Sequence, residues 1–536
     1  LVLSSFSLAF ADKQARPVAA PDAVTATILH TNDFHGNLEP AGSNPGAARV
    51  ASVIEGVRSD PAAGTVLLVD AGDIMQGSLL SNLFDGESTI DVYNQMGYQV
   101  ATFGNHEFDW GQTVLAERVG QASFPFVSAN IVQNDTGDCA TAGWTSPAWA
   151  TPWTTVTVGA GADTAVVGFI GVTSQETPYI TIASATENLC FKDPAESIVH
   201  HYDDLAAAAD VIVALSHLGY TDGGYGYGLD VYGDQKLAQK LIDAGKPADL
   251  IIGGHSHTNL AEATVIGPTT ITQAYYAGRR VGKATLTIDP VAATVDIAWT
   301  PLVVDPAGAE DPDILAAVAG WADDPWYQEQ INRVVGYTNV DIVRNYDGDS
   351  LMGAFVNDAL YNDLNTDAEP LNDADIVFNN AGGLRADIVI PPDATLPYTL
   401  THGILYSVLP FGNQTIVGTM TGAQILDLLN QSATLFKGAL QVSGARYSFY
   451  RYADALPNGA PWAWGAFEIQ VKNPATGFFE PLDMDREYRV ATNEFLAPAG
   501  QDGFVPFKYM TDISYWGDML DGVERWVAAA STVNSN

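Results

Sequence analysis

The chain has 536 residues, 47% of them hydrophobic, and 63 acidic against 23 basic side chains give a net charge of −40. That length excludes a single small module, and 50 glycines with 28 prolines are too few for a low-complexity chain. So acidic a surface repels phosphate backbones and anionic headgroups, which excludes nucleic-acid polymers and membrane surfaces as expected partners; any anionic ligand needs strong local positive charge.

In chain order, the opening LVLSSFSLAFA reads as the apolar end of a secretory signal, residues 1–11, with Ala9-Phe10-Ala11 fitting a small-x-small cleavage site before Asp12 and Lys13. No later run reaches the roughly 18 apolar residues of a membrane span, and ASTVNSN at the end lacks a lipid-anchor tail. The expectation is a soluble, secreted protein, periplasmic or extracellular. From about 24 to 290, apolar β-rich runs recur, each ending in a polar, Gly-rich turn: TATILHTNDFHG, TVLLVDAGD, YQVATFGNHE, FPFVSANIV, TAVVGFIGVT, ADVIVALSHLG and ADLIIGGHSH. Ala-rich helical segments lie between several of them, such as Leu205 to Asp210 and Asp234 to Ala244. Continuous apolar strands alternating with helices imply a largely buried α/β sheet. Polar residues gather where the strands end, the edge at which open α/β sheets bind ligands.

Residues 281–304 read as an antiparallel hairpin closing this first unit, 24–308. A helical connector, 309–339, follows, with its helix over 313–334 interrupted near Pro325. A second α/β unit runs from 340 to 527, with strands in DIVFNNAGG, GTMTG and YRVATNEFLA and helices in SLMGAFVNDALY and AQILDLLNQSA. No internal repeat is visible. The two cysteines, Cys139 and Cys190, lie away from the polar motifs, which argues against thiol catalysis. An exported chain more often bridges such a pair than leaves it as two buried thiols, and a bridge over this loop contributes roughly 4 kcal/mol on the chain-entropy model.

Five of the nine histidines sit in strand-end motifs: His35 in Asp33-Phe34-His35, His106 in Gly104-Asn105-His106-Glu107, His217 in Leu215-Ser216-His217, and His255 and His257 in Gly253-Gly254-His255-Ser256-His257. Asp73 joins them at the end of TVLLVDAGD. Imidazoles and carboxylates are the ligands that borderline divalent cations prefer. An alternating D-x-H or H-x-H at a strand end sends two ligands into one pocket while the middle residue turns away. Singly, each motif is common by chance; the ordered series on one sheet points to a two-metal site. Two cations there also answer the charge problem. His200, His201 and His402 have no such setting, and His30 touches the site only by sequence adjacency.

The segments TNDFHG, VDAGDIMQGS, FGNHEFDWG, SANIV, LSHLG and GGHSH resemble the calcineurin-like metallophosphoesterase domain of the secreted 5′-nucleotidase / UDP-sugar hydrolase family. NNAGGLR, LPFGN, LQVSG and FLAPAGQDGF resemble its C-terminal nucleotide-binding domain, so the likeness covers roughly residues 24–525. It implies a four-layer α/β/β/α metallophosphoesterase sandwich joined by the connector to a second α/β domain that binds substrate. It implies one divalent ion held by Asp33, His35, Asp73 and His257, and another by Asp73, Asn105, His217 and His255, with Zn, Mn, Co or Mg as candidates. His257 stands where some members carry Gln. His106 with Asp109 matches the catalytic pair, and Asp109 also argues against the 3′-nucleotidase branch, which tends to carry Asn there.

The same resemblance implies that Phe411 and Phe495 sandwich a base, that Asp502 binds ribose hydroxyls, and that Asn380 and Arg385 contact phosphate. Two departures stand out. FLAPAGQDGF is one residue longer than the family's FLAxGGDGF, and Gly348 stands where many members carry a phosphate-binding Arg; Arg344 or Arg446 is the candidate replacement. The expected activity is metal-assisted release of phosphate from nucleoside 5′-monophosphates, with ATP, ADP or UDP-sugars as further substrates, by a monomer or dimer. Turnover is expected to need the domains to close and reopen about the connector. Alternatives are a broad alkaline phosphatase, a 2′,3′-cyclic phosphodiesterase/3′-nucleotidase, a sulfur-oxidation hydrolase and a catalytically silent nucleotide-binding protein.

Overall fold

The computed structural model describes residues 23–161, 163–221, 229–366, 373–452, 463–474 and 476–534; the signal-like segment 1–11 lies outside them. The apolar runs form strands because most of their residues can be buried on both faces. In Val211–His217 every residue is buried, the pattern of an internal strand covered on two sides. Among the described residues the first half holds two six-stranded sheets. In one, Val24–Thr31 pairs in parallel with Thr65–Asp70, which continues through Val100–Thr102 to Phe126–Val127. On its other side Val24–Thr31 pairs antiparallel with the hairpin Arg280–Asp289 and Thr294–Val303. In the second sheet Val211–His217 lies between Leu250–Gly253 and Asp163–Thr173, both parallel to it.

The sheets face each other across a layer of Ile28, Leu67, Val69, Val167, Phe169, Val213, Leu215 and Ile252. Helices cover their outer faces. Ala47–Arg58 buries Val50, Ala51, Ile54 and Val57, a three-to-four residue spacing, against the first sheet. Pro194–Ala208 and Asp234–Asp243 cover the second with Ile198, Leu205, Leu237 and Leu241. Asp193 starts the former by accepting the Glu196 N–H, with Pro194 at the first helical position. The result is the α/β/β/α layering that the family resemblance implies.

The connector is two helices, Pro312–Ala322 and Pro325–Asn332; Asp324 caps the second, and Pro325 supplies the break. Ile314, Val318 and Tyr327 pack into the core of the first domain, so these helices belong to its body. The second half has a five-stranded sheet in which Glu487–Asn493 lies between Ile376–Asn379, parallel, and Gln414–Thr421, antiparallel. Leu351–Thr366 and Met519–Ala530 cover one face, and Gly422–Ser432, begun by a Thr421–Gln424 capping box, covers the other. Cys139 and Cys190 form a disulfide.

His30 is fully buried beneath the hairpin, where its Nε2 accepts the Trp299 indole N–H at 3.0 Å, and it stands outside the cavity described below. Burial pushes its pKa down to about 3. An unfolded chain takes up that proton near pH 6.5, so between about 6.5 and about 3 the unfolded state binds more protons than the folded one. Stability must therefore fall as pH drops through that window, by up to about 1.4 kcal/mol per pH unit from this residue. His30→Gln is expected to melt lower than the parent at pH 8 but to show a flatter acid limb. Thermal melts from pH 8 to pH 4 check this, and parallel acid limbs would refute it.

Candidate active site

Except for His217, the last residue of its strand, the metal-type residues lie just past the strand ends rather than on them. Val24–Thr31 stops before Asp33, and Leu250–Gly253 stops before His255. The D-x-H and H-x-H pairs were expected to use strand alternation. Instead Asp33, His35, Asp73, His255 and His257 all take left-handed backbone, with φ of 50°, 52°, 57°, 73° and 49°. Such conformations cost free energy for side-chain-bearing residues and persist where surrounding structure over-determines them, as at functional sites. Two glycines make the approach possible. A Cβ at Gly104 would sit 2.1 Å from Asp73 Oδ1, and Gly72, at φ 90°, would put one 2.8 Å from the His217 ring.

Hydrogen bonds fix each ligand. His35 Nδ1 donates to the Gln76 carbonyl at 2.9 Å and His217 Nδ1 to the Ala71 carbonyl at 2.7 Å. Both rings therefore turn Nε2 inward, the atom each would offer to a bound cation. His35 Nε2 lies 3.1 Å from His257 Nε2, and His257 Nε2 lies 3.5 Å from Asp33 Oδ1. His217 Nε2 faces Asp73 Oδ2 at 3.0 Å. The donor atoms of Asp33, His35 and His257 form one cluster and those of Asp73, His217 and His255 another, each within 4.8 Å. Asp73 Oδ2 also stands 3.9 Å from His35 Nε2, between the two.

Converging lone pairs and carboxylates are unfavourable together in a buried pocket unless a cation lies among them. Burial opposes ionised Asp33 and Asp73, yet the surrounding imidazoles hold both carboxyls below the usual range, Asp73 well below. Asn105 is buried with an Oδ1 that has no hydrogen-bond partner among the described residues. A mixed N/O set with an orphaned amide oxygen fits divalent metal ions.

Beside the clusters stands His106. Its Nδ1 pairs with Asp109 Oδ2 at 2.6 Å, and its backbone N–H donates to Asp73 Oδ1 at 2.9 Å. Burial works against its cation, but Asp109 and Asp73 outweigh that and raise its pKa to about 9. It can donate a proton or a charge-assisted hydrogen bond at neutral pH.

Three buried side chains that sequence reasoning missed shape this pocket. Glu107 accepts the backbone N–H groups of Asp73, Ile74 and Gly104 at 2.7–2.8 Å, fixing the turn that presents Asp73. Its only signal was its place beside the Asn105-His106 pair. Glu176, which carried no sequence signal, meets His255 Nε2 at 3.0 Å, and Gln501, whose one signal was the added length of its segment FLAPAGQDGF, enters from the second domain.

The cavity, about 260 Å³, lies between the domains. The first domain lines it with His35, Asp73, Asn105, His106, His255 and His257, the second with Asn380, Arg385, Phe411, Phe495 and Asp502. Lys437 and Tyr346 also line it and had gone unremarked. The Phe411 ring stacks on His106, centroids 6.3 Å apart and planes 16° apart, and the Arg385 guanidinium lies 5.6 Å from the Phe411 centroid. An amide relay holds Asp502: Asn493 Nδ2 donates to Asn380 Oδ1 at 3.2 Å, and Asn380 Nδ2 to Asp502 Oδ2 at 3.0 Å. Desolvation pushes the Asp502 carboxyl up, against the pull of Lys437 and Asn380.

Two arginines stand elsewhere. Arg446 pairs with Gln470 on an outer sheet, 4.4 Å from the Phe479 ring centroid, and does not line the cavity, because its strand, Ala445–Tyr452, pairs with Ala463–Lys472 in that sheet. Arg344 binds Asp387 and the Leu384 and Arg385 carbonyls, bracing the Arg385 loop from behind.

Facing sheets ending in a histidine–carboxylate pocket define a metal-dependent phosphoester hydrolase, and comparison with known proteins agrees. Residues 26–259 match the calcineurin-like phosphoesterase model and residues 331–509 the 5′-nucleotidase C-terminal domain model. The chain belongs to the 5′-nucleotidase family that joins these two domains. It is 30% identical to the trifunctional nucleotide phosphoesterase protein YfkN of Bacillus subtilis over 92% of this chain, but spans only 33% of that protein. It is 28% identical to the 5′-nucleotidase of Diplobatis ommata, over 90% of this chain and 83% of that one. The crystal structure of a 5′-nucleotidase precursor from Thermus thermophilus superposes with a TM-score of 0.72 at 28% identity, over 95% of this chain and 97% of that one. Among the described residues no helix is long and apolar enough to cross a membrane.

Proposed function

We propose that this chain is an exported nucleotidase that releases phosphate from nucleoside 5′-monophosphates, with ATP, ADP or UDP-sugars as further substrates. The observation that carries this reading is a single cavity with metal-type clusters and His106 on one wall, and Arg385, two aromatic rings and Asp502 on the other. The expected division was a catalytic half of residues 24–308, a connector of 309–339 and a substrate half of 340–527; the helices Pro312–Ala322 and Pro325–Asn332 pack onto the catalytic half, and the strand Val334–Thr338, paired with Tyr398–Thr401, goes with the substrate half. The disulfide supports an oxidising compartment outside the cytoplasm.

Asp33, His35, Asp73 and His257 would hold one ion, and Asp73, Asn105, His217 and His255 the other. When bound, such ions supply an activated water near neutral pH and neutralise phosphoryl charge. The protein does the rest. His106, kept cationic by Asp109, donates a hydrogen bond to charge that develops on the phosphoryl oxygens. Arg385 and Asn380 hold the phosphate from the opposite wall. Phe411 and Phe495 take the base, and Asp502 accepts from the ribose hydroxyls.

Phe411→Ala is expected to raise KM for AMP about five- to a hundredfold, the value of one base–aromatic stack, and to change hydrolysis of p-nitrophenyl phosphate far less. Equal effects on both substrates would remove the stacking role. The wider test is phosphate release from AMP, ADP, UDP-glucose, 3′-AMP and p-nitrophenyl phosphate. A preference for AMP supports the reading, and no hydrolysis of AMP contradicts it. A second reading, a broad phosphomonoesterase, is favoured by Gly348 and by Arg344 being occupied with Asp387, which leave Arg385 and Lys437 as the cationic side chains, histidines aside, lining the cavity. That reading predicts similar kcat/KM across the panel.

A further inference from the structure

Gln501 belongs to the second domain and sits in the segment whose length departs from the family pattern. Its side chain is buried, 2% exposed, and its Nε2 donates to two carbonyls of the first domain, Pro178 at 2.9 Å and Thr181 at 2.7 Å. Both acceptors lie on the short segment around helix Thr177–Ile180, whose Ile180, Thr181 and Ile182 form part of the cavity wall. Thr181 carries the connection onward. Its hydroxyl donates to Asp109 Oδ1 at 3.0 Å, while Asp109 Oδ2 meets His106 Nδ1 at 2.6 Å. A continuous path therefore runs from Gln501 through Thr181 and Asp109 to His106. Residue 502, next in the chain, is the carboxylate facing the sugar end of the cavity.

We propose that Gln501 is a positioning residue that couples docking of the second domain to the orientation of His106 through Thr181 and Asp109. This rests on the reading of His106 and Asp109 given above. The physical reason is geometric. Asp109 has two oxygens; one holds the imidazole and the other is held by Thr181, so the carboxylate cannot rotate freely while Thr181 stays in place. Thr181 stays in place because a buried amide binds its carbonyl. With the domains apart that amide is withdrawn, the segment loosens and His106 loses its fixed aim. Hydrolysis is then favoured only when the nucleotide-binding loop has seated, which protects the site from idle turnover.

The test uses the full, metal-loaded chain with Gln501→Ala, Thr181→Val and Thr181→Ser. Gln501→Ala and Thr181→Val are each expected to lower kcat between about threefold and about thirtyfold, the range for changes along a coupled network. The loss should be shared by AMP and p-nitrophenyl phosphate, because it acts through His106 and not through nucleotide contacts. Thr181→Ser should recover what Thr181→Val loses, and Gln501→Ala should change nothing further in a His106→Ala background. A Gln501→Ala variant altered only in KM for AMP, or equally impaired with and without His106, overturns the proposal. If the parent hydrolyses only p-nitrophenyl phosphate, the nucleotidase reading fails while this test stands. Were the parent inactive on both, amide exchange decides: Gln501→Ala should speed exchange over residues 177–182, and unchanged exchange there overturns the coupling.

Discussion

Asp73→Asn is expected to abolish phosphoester hydrolysis, lowering kcat/KM by more than about a thousandfold, since several kcal/mol of charge stabilisation depends on the site it holds together. Asp73 is the residue the two clusters share in space: Oδ2 lies 3.0 Å from His217 and 3.9 Å from His35, and Oδ1 accepts the His106 backbone N–H. Asparagine keeps the shape but supplies one neutral oxygen in place of two anionic ones. It also removes the charge that helps keep His106 and His217 protonated in the ion-free protein. Metal content should fall with activity. Circular dichroism separates this from unfolding, and a folded Asp73→Asn protein with parental kcat/KM would refute the shared role.

The second large effect falls on His106. His106→Ala is expected to lower kcat about a hundred- to a thousandfold, the usual cost of removing one preorganised donor to a developing oxyanion. KM should move much less, and metal content should not change, because the imidazole belongs to neither cluster and the backbone N–H to Asp73 survives the substitution. Steady-state kinetics with elemental analysis checks both halves. Loss of metal with the side chain would make His106 a ligand-orienting residue instead.

Much of the fold was legible because buried parallel strands announce themselves. Runs such as VIVALSH and LIIG are apolar without alternation, and they became internal strands of the second sheet. Residue types also placed the histidines and acids at the same strand ends. Their backbone was not legible: the pairs at 33/35 and 255/257 reach inward through left-handed turns, and no local pattern distinguishes that from strand alternation. Glu107, Glu176 and Gln501 escaped notice because their importance comes from backbone groups and rings far away in sequence, including Thr181, which is 320 residues from Gln501. Arg446 illustrates the reverse. Its charge made it attractive in an acidic chain, yet pairing of Ala445–Tyr452 with Ala463–Lys472 carries it to an outer sheet. The connector helices and their break could be read from the helical spacing and Pro325, but not the Asp324 cap or their packing into the first domain through Ile314, Val318 and Tyr327.

The most direct single measurement is the divalent-metal content of the purified chain, taken with phosphate release before and after chelation. About two ions per chain, with hydrolysis lost on chelation and restored when ions are returned, is the expected result. A folded chain that takes up no divalent ion, or hydrolysis that survives complete chelation, would contradict the central claim that these aspartates and imidazoles assemble a metal-dependent site.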